Sequence, residues 1–178
     1  MEKRSYHNYK ILSASEQEDV VATNYAEMSG KILRYSPDGA SLVSDTMDAY
    51  WSTLYEMQNP VADVRDDRAV IADQDGTLLE MFDKDGETGS VTTSYNIIKA
   101  RVSSSGMVAA ILDGGDATWI NFYGSDGTLI AENQTHLADP GYPLDVAVSD
   151  SGDIMMVAGG MMATGTLGRL LGLLQSGG

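Results

Sequence analysis

Residues 59–87 read NPVADVRDDRAVIADQDGTLLEMFDKDGE, and residues 96–132 read NIIKARVSSSGMVAAILDGGDATWINFYGSDGTLIAE. Both follow one plan. An alternating apolar segment and a polar turn come first, then a second apolar segment, a Gly/Asp turn, a third apolar segment and an Asp-Gly turn. Asp85-Gly86 and Asp126-Gly127 hold matching places 41 residues apart. Alternation of period two marks half-buried strands, and Asp-Gly is hairpin chemistry. A period of ~40 residues suits a four-stranded propeller blade. The expected fold is therefore all-β, with antiparallel four-stranded repeat units arranged as a partial, truncated β-propeller.

Upstream, the same grammar holds from Thr23. Residues 30–36 read as a strand, Ser36-Pro37-Asp38-Gly39 as a turn and Ala40–Ser44 as the returning strand. Proline presets φ there and glycine tolerates the positive φ that follows. After Asp45–Asp48, the run Ala49–Met57 sets Tyr50, Ser52 and Leu54 on one face and Trp51, Thr53 and Tyr55 on the other. Pro60 fits a strand start. Met107–Leu112 is nearly continuous apolar, as in a strand buried on both faces.

Downstream, Tyr142–Val148 and Ile154–Ala158 open a further unit. The chain thus divides into a lead-in at 1–22, units at 23–58, 59–95 and 96–141, an incomplete unit at 142–158 and a tail at 159–178. The tail, GGMMATGTLGRLLGLLQSGG, shows no third strand. Leu167, Leu170, Leu171 and Leu174 share a helical face, but glycines at 165, 168 and 172 weaken any helix there by about 1 kcal/mol each. An irregular tail is expected.

Composition narrows the function. Eleven Lys+Arg against 26 Asp+Glu give a net charge of −15. Such a surface repels phosphate backbones, and no basic stripe overrides it, so nucleic acid is not an expected partner. There is no cysteine, which removes disulfides, thiolate metal sites and cysteine nucleophiles. The N-terminus MEKRSYHNYK has no apolar segment of the signal-peptide kind. No apolar run reaches the roughly 18 residues that span a bilayer, and the chain as given is expected to be soluble.

Candidate chemistry is sparse. Asp73-Gln74-Asp75-Gly76 and Asp83-Lys84-Asp85-Gly86 share the D-x-D-G opening of calcium loops, without the central glycine and closing glutamate of the EF-hand. They read as hairpin turns, and neither metal nor cofactor is expected. His7 and His136 lie in connecting segments, and no serine sits in a G-x-S-x-G elbow. No catalytic residue is assigned. Trp51 and Trp119, with Tyr50, Tyr55, Phe122 and Tyr123, are candidates for a ligand platform or for packing between blades. Asp63 and Asp145 lie on first strands, where a propeller's central funnel runs. Solvent-facing alternation is the favoured account of both.

The units across 59–141 resemble WD40-like and quinoprotein-like propeller repeats in spacing and strand order, without the G-H…W-D signature. At finer grain, YEMQNPVADV, the ADQDGT and FDKDGE pair, and GYPLDVAVSDSGD are similar to an uncharacterised family of Firmicutes proteins, domain-of-unknown-function family 5711. That resemblance implies an N-terminal membrane helix followed by an extracytoplasmic propeller-like domain. It supplies no catalytic residues.

The expected function is that of a non-enzymatic binding or scaffold domain of a membrane-anchored, extracytoplasmic protein, with a protein or cell-surface ligand. The alternative is an enzyme of quinoprotein-like or glycan-active type with its site in the funnel. Self-association through an open sheet edge is a third possibility.

Overall fold

The computed structural model describes residues 22–135 and the backbone of three further strands at 144–148, 153–158 and 161–166. Every regular element among them is a β-strand. The first sheet holds β1 (Asn24–Met28), β2 (Lys31–Ser36), β3 (Gly39–Val43) and β4 (Ala49–Leu54). The second holds β5 (Pro60–Arg65), β6 (Arg68–Asp73), β7 (Leu78–Asp83) and β8 (Gly86–Thr92). The third holds β9 (Asn96–Val102), β10 (Val108–Asp113), β11 (Thr118–Tyr123) and β12 (Leu129–Thr135). The last, three-stranded, holds β13 (Leu144–Val148), β14 (Asp153–Ala158) and β15 (Met161–Thr166). In each sheet the strands stand in chain order and pair antiparallel.

The first strands sit side by side: β1 beside β5, β5 beside β9, β9 beside β13. They are the inner strands, and the sheets radiate from them as a partial β-propeller. This arrangement explains the hydrophobic pattern. β6 (RAVIAD) and β10 (VAAILD) are second strands with a sheet on either face, and both are buried almost throughout. β8 (GETGSVT) is an outer strand and alternates between half-buried and exposed.

Two apolar seams hold the described sheets together. Between the first and second lie Met28, Leu33, Leu42, Ile71 and Phe82, with Trp51 and Tyr55 packed against them. Between the second and third lie Val70, Leu79, Met81, Val102, Leu112 and Tyr123, with Trp119 at the side. Full burial of a side chain such as Phe82 contributes about 1.5–3 kcal/mol.

A β-bulge recurs between the third and fourth strands of all three four-stranded sheets, at Leu42/Val43, Met81/Phe82 and Phe122/Tyr123. Close to each break lies a polar cross-strand pair: Ser41 with Ser52, Glu80 with Ser90 and Asn121 with Glu132. These bulges set the three sheets in common register.

Most expected turns form, with one change of mechanism. Gly127 adopts φ of 85° in its turn, and Gly86, at φ 136°, is the first residue of β8 and pairs with Asp83, conformations that glycine tolerates. Gly39 does not have positive φ. It opens β3 where the Thr53 carbonyl oxygen comes within 2.5 Å of the place a Cβ would occupy. Close approach, not turn conformation, demands glycine there.

Three strand expectations are corrected. β1 forms ahead of the first strand that the sequence pattern marked. β8 begins at Gly86, inside the Asp83-Lys84-Asp85-Gly86 turn that the sequence pattern marks, because its backbone pairs with β7 as far as Asp83. β15 forms within the stretch expected to be an irregular tail, since Met161–Thr166 pairs along the whole of β14. The rest of that tail, its leucine face, and the lead-in through residue 21 lie outside the described residues.

Candidate functional site

The inner strands are where a propeller funnel would place chemistry. Asp63 is the fourth residue of β5 and faces the next inner strand. Its Oδ2 accepts a hydrogen bond from the Val102 backbone N–H at 2.9 Å. Its Oδ1 lies 3.7 Å from Arg101 Nη1, with the two side chains 26% and 29% exposed. Asp63 is thus a tie between β5 and β9, which corrects the solvent-facing expectation. The physical reason is that an inner strand exposes backbone N–H groups to its neighbour, and a carboxylate satisfies one of them. Asp145 lies on β13 opposite Val157; its side chain is outside the described residues.

The tryptophans do not meet. Trp51 on β4 stacks on Phe82 of the second sheet, with ring centroids 4.9 Å apart and planes within 6°. Trp119 on β11 stacks on Tyr95 at 5.7 Å and 17°. Each packs where one sheet meets the next, and no shared platform forms. Tyr50 points outward beneath Lys31, whose Nζ is 4.1 Å from the ring centroid. Phe122 and Tyr123 are buried.

The Asp-Gly turns use their carboxylates on the backbone. Asp83 Oδ1 accepts from the N–H groups of Asp85 at 2.7 Å and Gly86 at 3.1 Å. Asp73 Oδ1 accepts from those of Gln58 and Asn59 at 3.1 and 2.8 Å, tying β6 to the connection from the first sheet. The Thr128 N–H holds the Asp126 carboxyl below its ordinary pKa. Among the described residues no group of three or more His, Asp or Glu converges as a metal site would require. His7 and His136 lie outside the described residues.

The structure adds a site that motif reasoning passed over. Glu80, on β7, is only 5% exposed and faces the first sheet. Ser90 Oγ donates to its Oε1 at 2.8 Å, while Oε2 has no hydrogen-bond partner. Burial is the main cause that pushes its pKa up to about 8, and the neighbouring Glu87 carboxylate adds to it. Across the seam, Trp51 Nε1 is buried without a partner, and the Tyr55 hydroxyl lies near the Ser36 backbone without closing a hydrogen bond. Burial pushes the Tyr55 phenol well up.

In the third sheet the matching place holds Asn121, also buried and also with an unpartnered oxygen, Oδ1. Its Nδ2 donates to the Tyr123 hydroxyl at 3.0 Å and to Glu132 Oε2 at 3.3 Å. The signal was present in the sequence. Glu80 and Asn121 are 41 residues apart, each a polar residue inside an apolar run, LLEMF and WINFY.

One open recess adjoins the outward face of the first sheet. It encloses about 350 Å³ and is lined by Arg34, Tyr35, Ser41, Ser52 and Leu54, among others. Leu54 is 88% exposed and Tyr50 55%. In the second and third sheets the equivalent face, bearing Glu80 or Asn121, packs on the sheet before it.

Solved structures with this fold are β-propellers. Hsv2 of Kluyveromyces marxianus superposes with a TM-score of 0.61 at 15% identity, over 85% of this chain and 49% of that one. The WD40 domain of Toxoplasma gondii coronin gives 0.56 at 13% identity, over 79% and 44%. YCF48 of Cyanidioschyzon merolae gives 0.51 at 14% identity, over 84% and 55%. The chain thus spans about half the length of the propellers it matches, and at such identity the likeness shows the fold alone. No curated protein matches it in sequence. The model of a family of unknown function, DUF5711, matches residues 2–171, and the chain belongs to that family.

Proposed function

We propose that this chain is a non-enzymatic, propeller-type binding or scaffold domain. Its whole protein would be membrane-anchored and extracytoplasmic, as the family resemblance implies, and its partner a protein. The observation that carries this reading is the use made of Asp63. The inner-strand carboxylate best placed for funnel chemistry is taken up by the Val102 N–H and Arg101. The tryptophans are likewise taken up by stacking at the seams. Among the described residues, Leu54, 88% exposed, lines the recess on the first sheet together with Tyr35 and polar groups such as Arg34 and Ser52, a mixture that protein partners use.

A photo-crosslinking residue in place of Leu54, compared with one in place of Asp116 on an exposed turn, tests the proposal in cells of the source organism. A discrete protein adduct from position 54 alone is expected. If that adduct is a second copy of this chain, and light scattering gives a mass that rises with concentration, the partner is the protein itself. Equal labelling from both positions would contradict the binding face. Turnover of a glycan or an oxidisable alcohol that is lost in Asp63→Asn would contradict the non-enzymatic reading.

A further inference from the structure

The first sheet departs from its repeat on one face. Arg34, Ser41 and Ser52 are successive cross-strand partners on β2, β3 and β4, so they share that face. The same register places hold Ile71, Glu80 and Ser90 in the second sheet, and Ala110, Asn121 and Glu132 in the third. Ile71 and Ala110 are apolar and fully buried, because the preceding sheet covers them. At the place where they continue a seam, the first sheet has a guanidinium. Under an apolar sheet that charge would be desolvated without a partner, so the face is built for a different contact.

Arg34 is half-buried and lines the recess of about 350 Å³ together with Ser41, Ser52 and Leu54. Within the described residues no hydrogen bond or ion pair takes up its guanidinium. Asp38, the carboxylate among the lining residues, does not close on it. Ser41 Oγ and Ser52 Oγ lie 2.9 Å apart, and either can donate to the other. The pair has two hydroxyl protons and uses one between its oxygens, which leaves the other to donate. A planar fork of N–H groups and a hydroxyl on the next strand, about 4.7–4.9 Å away, match the two oxygens of a carboxylate.

The surroundings select the kind of anion. A chain of net charge −15 repels polyanions, and a single arginine suits one carboxylate better than a run of phosphates. Leu54, 88% exposed in the same recess, adds apolar surface of the kind that an amino-acid side chain covers. We propose that Arg34, with the Ser41–Ser52 hydroxyl pair, anchors an aspartate or glutamate side chain of the protein partner, whose adjoining apolar residue covers Leu54. This rests on the reading of the chain as a protein-binding domain and names the group that it recognises.

The test titrates N-acetyl-Leu-Glu-amide, N-acetyl-Leu-Gln-amide and inorganic phosphate into the full chain, with the Arg34 Nε–H and Leu54 methyl signals followed by NMR. The Glu peptide should shift both signals saturably, and the Gln peptide should bind about tenfold or more weaker. Arg34→Gln should abolish that preference, and Arg34→Lys, which keeps the charge but not the fork, should reduce it. Equal binding of the two peptides, or a preference that survives in Arg34→Gln, would overturn the site. Phosphate that shifts the Arg34 signal as strongly as the Glu peptide would overturn the assignment to a carboxylate. The comparison of the two peptides in wild type holds even if a variant does not fold. In cells, Arg34→Gln should remove the protein adduct formed from position 54. An undiminished adduct would overturn the anchor and leave the binding face standing. No adduct from the protein with Arg34 intact would contradict the binding face instead, and the peptide titration then decides the Arg34 site alone.

Discussion

Asp63 carries two contacts of different worth. Its Oδ2 satisfies the Val102 N–H at 2.9 Å, whereas the Arg101 contact is 3.7 Å long and partly exposed. An exposed ion pair contributes about 0–1 kcal/mol, and an unsatisfied buried N–H costs about 1–3 kcal/mol. The backbone contact therefore dominates. Asp63→Asn keeps an acceptor oxygen and should lose less than about 1 kcal/mol. Asp63→Ala strands the Val102 N–H and should lose about 1–3 kcal/mol, both read from urea denaturation. Equal losses in the two variants would show that the charge, not the acceptor, matters. Composition and strand position brought Asp63 into view, but its partners belong to a neighbouring sheet, and no local pattern encodes them.

Among the strands and turns, Gly39 and Gly30 are needed for different physical reasons. A Cβ at Gly39 would lie 2.5 Å from the Thr53 carbonyl oxygen, while Gly30, at φ 75°, has nothing within 4 Å. Gly30→Ala should cost about 1 kcal/mol for its backbone conformation alone. Gly39→Ala forces β3 from β4 and should cost about 1–3 kcal/mol, with the larger loss of cooperativity in the melt. The reverse order would contradict the pairing of β3 with β4. The run of strands from Lys31 to Thr135 was largely legible, because period-two alternation and Asp-Gly turns agree there. β1 and β15 were not. NYAEM and MMATGT lack a sustained alternation, and backbone pairing with β2 and β14 makes them strands. Glu80 and Asn121 stood in register in the repeat all along. They match no catalytic or metal motif, being single polar residues inside apolar runs.

For the whole molecule, sheets radiate from adjacent inner strands, and the side chains that resemble functional groups hold neighbouring sheets together. The Asp63–Val102 hydrogen bond is the contact in which both statements meet, since it exists only if β5 and β9 lie side by side. The two strands are not hydrogen-bonded members of one sheet, so local β-structure alone cannot supply it. Amide hydrogen exchange at Val102, in wild type and in Asp63→Ala, tests this most directly. The radial arrangement predicts that the wild-type Val102 amide exchanges about a thousandfold or more slower than an unstructured amide. It also predicts that Asp63→Ala abolishes most of that protection while the amides paired within β10 and β11 keep theirs. A Val102 amide that exchanges freely in the folded wild-type protein, or that is indifferent to Asp63, would contradict it.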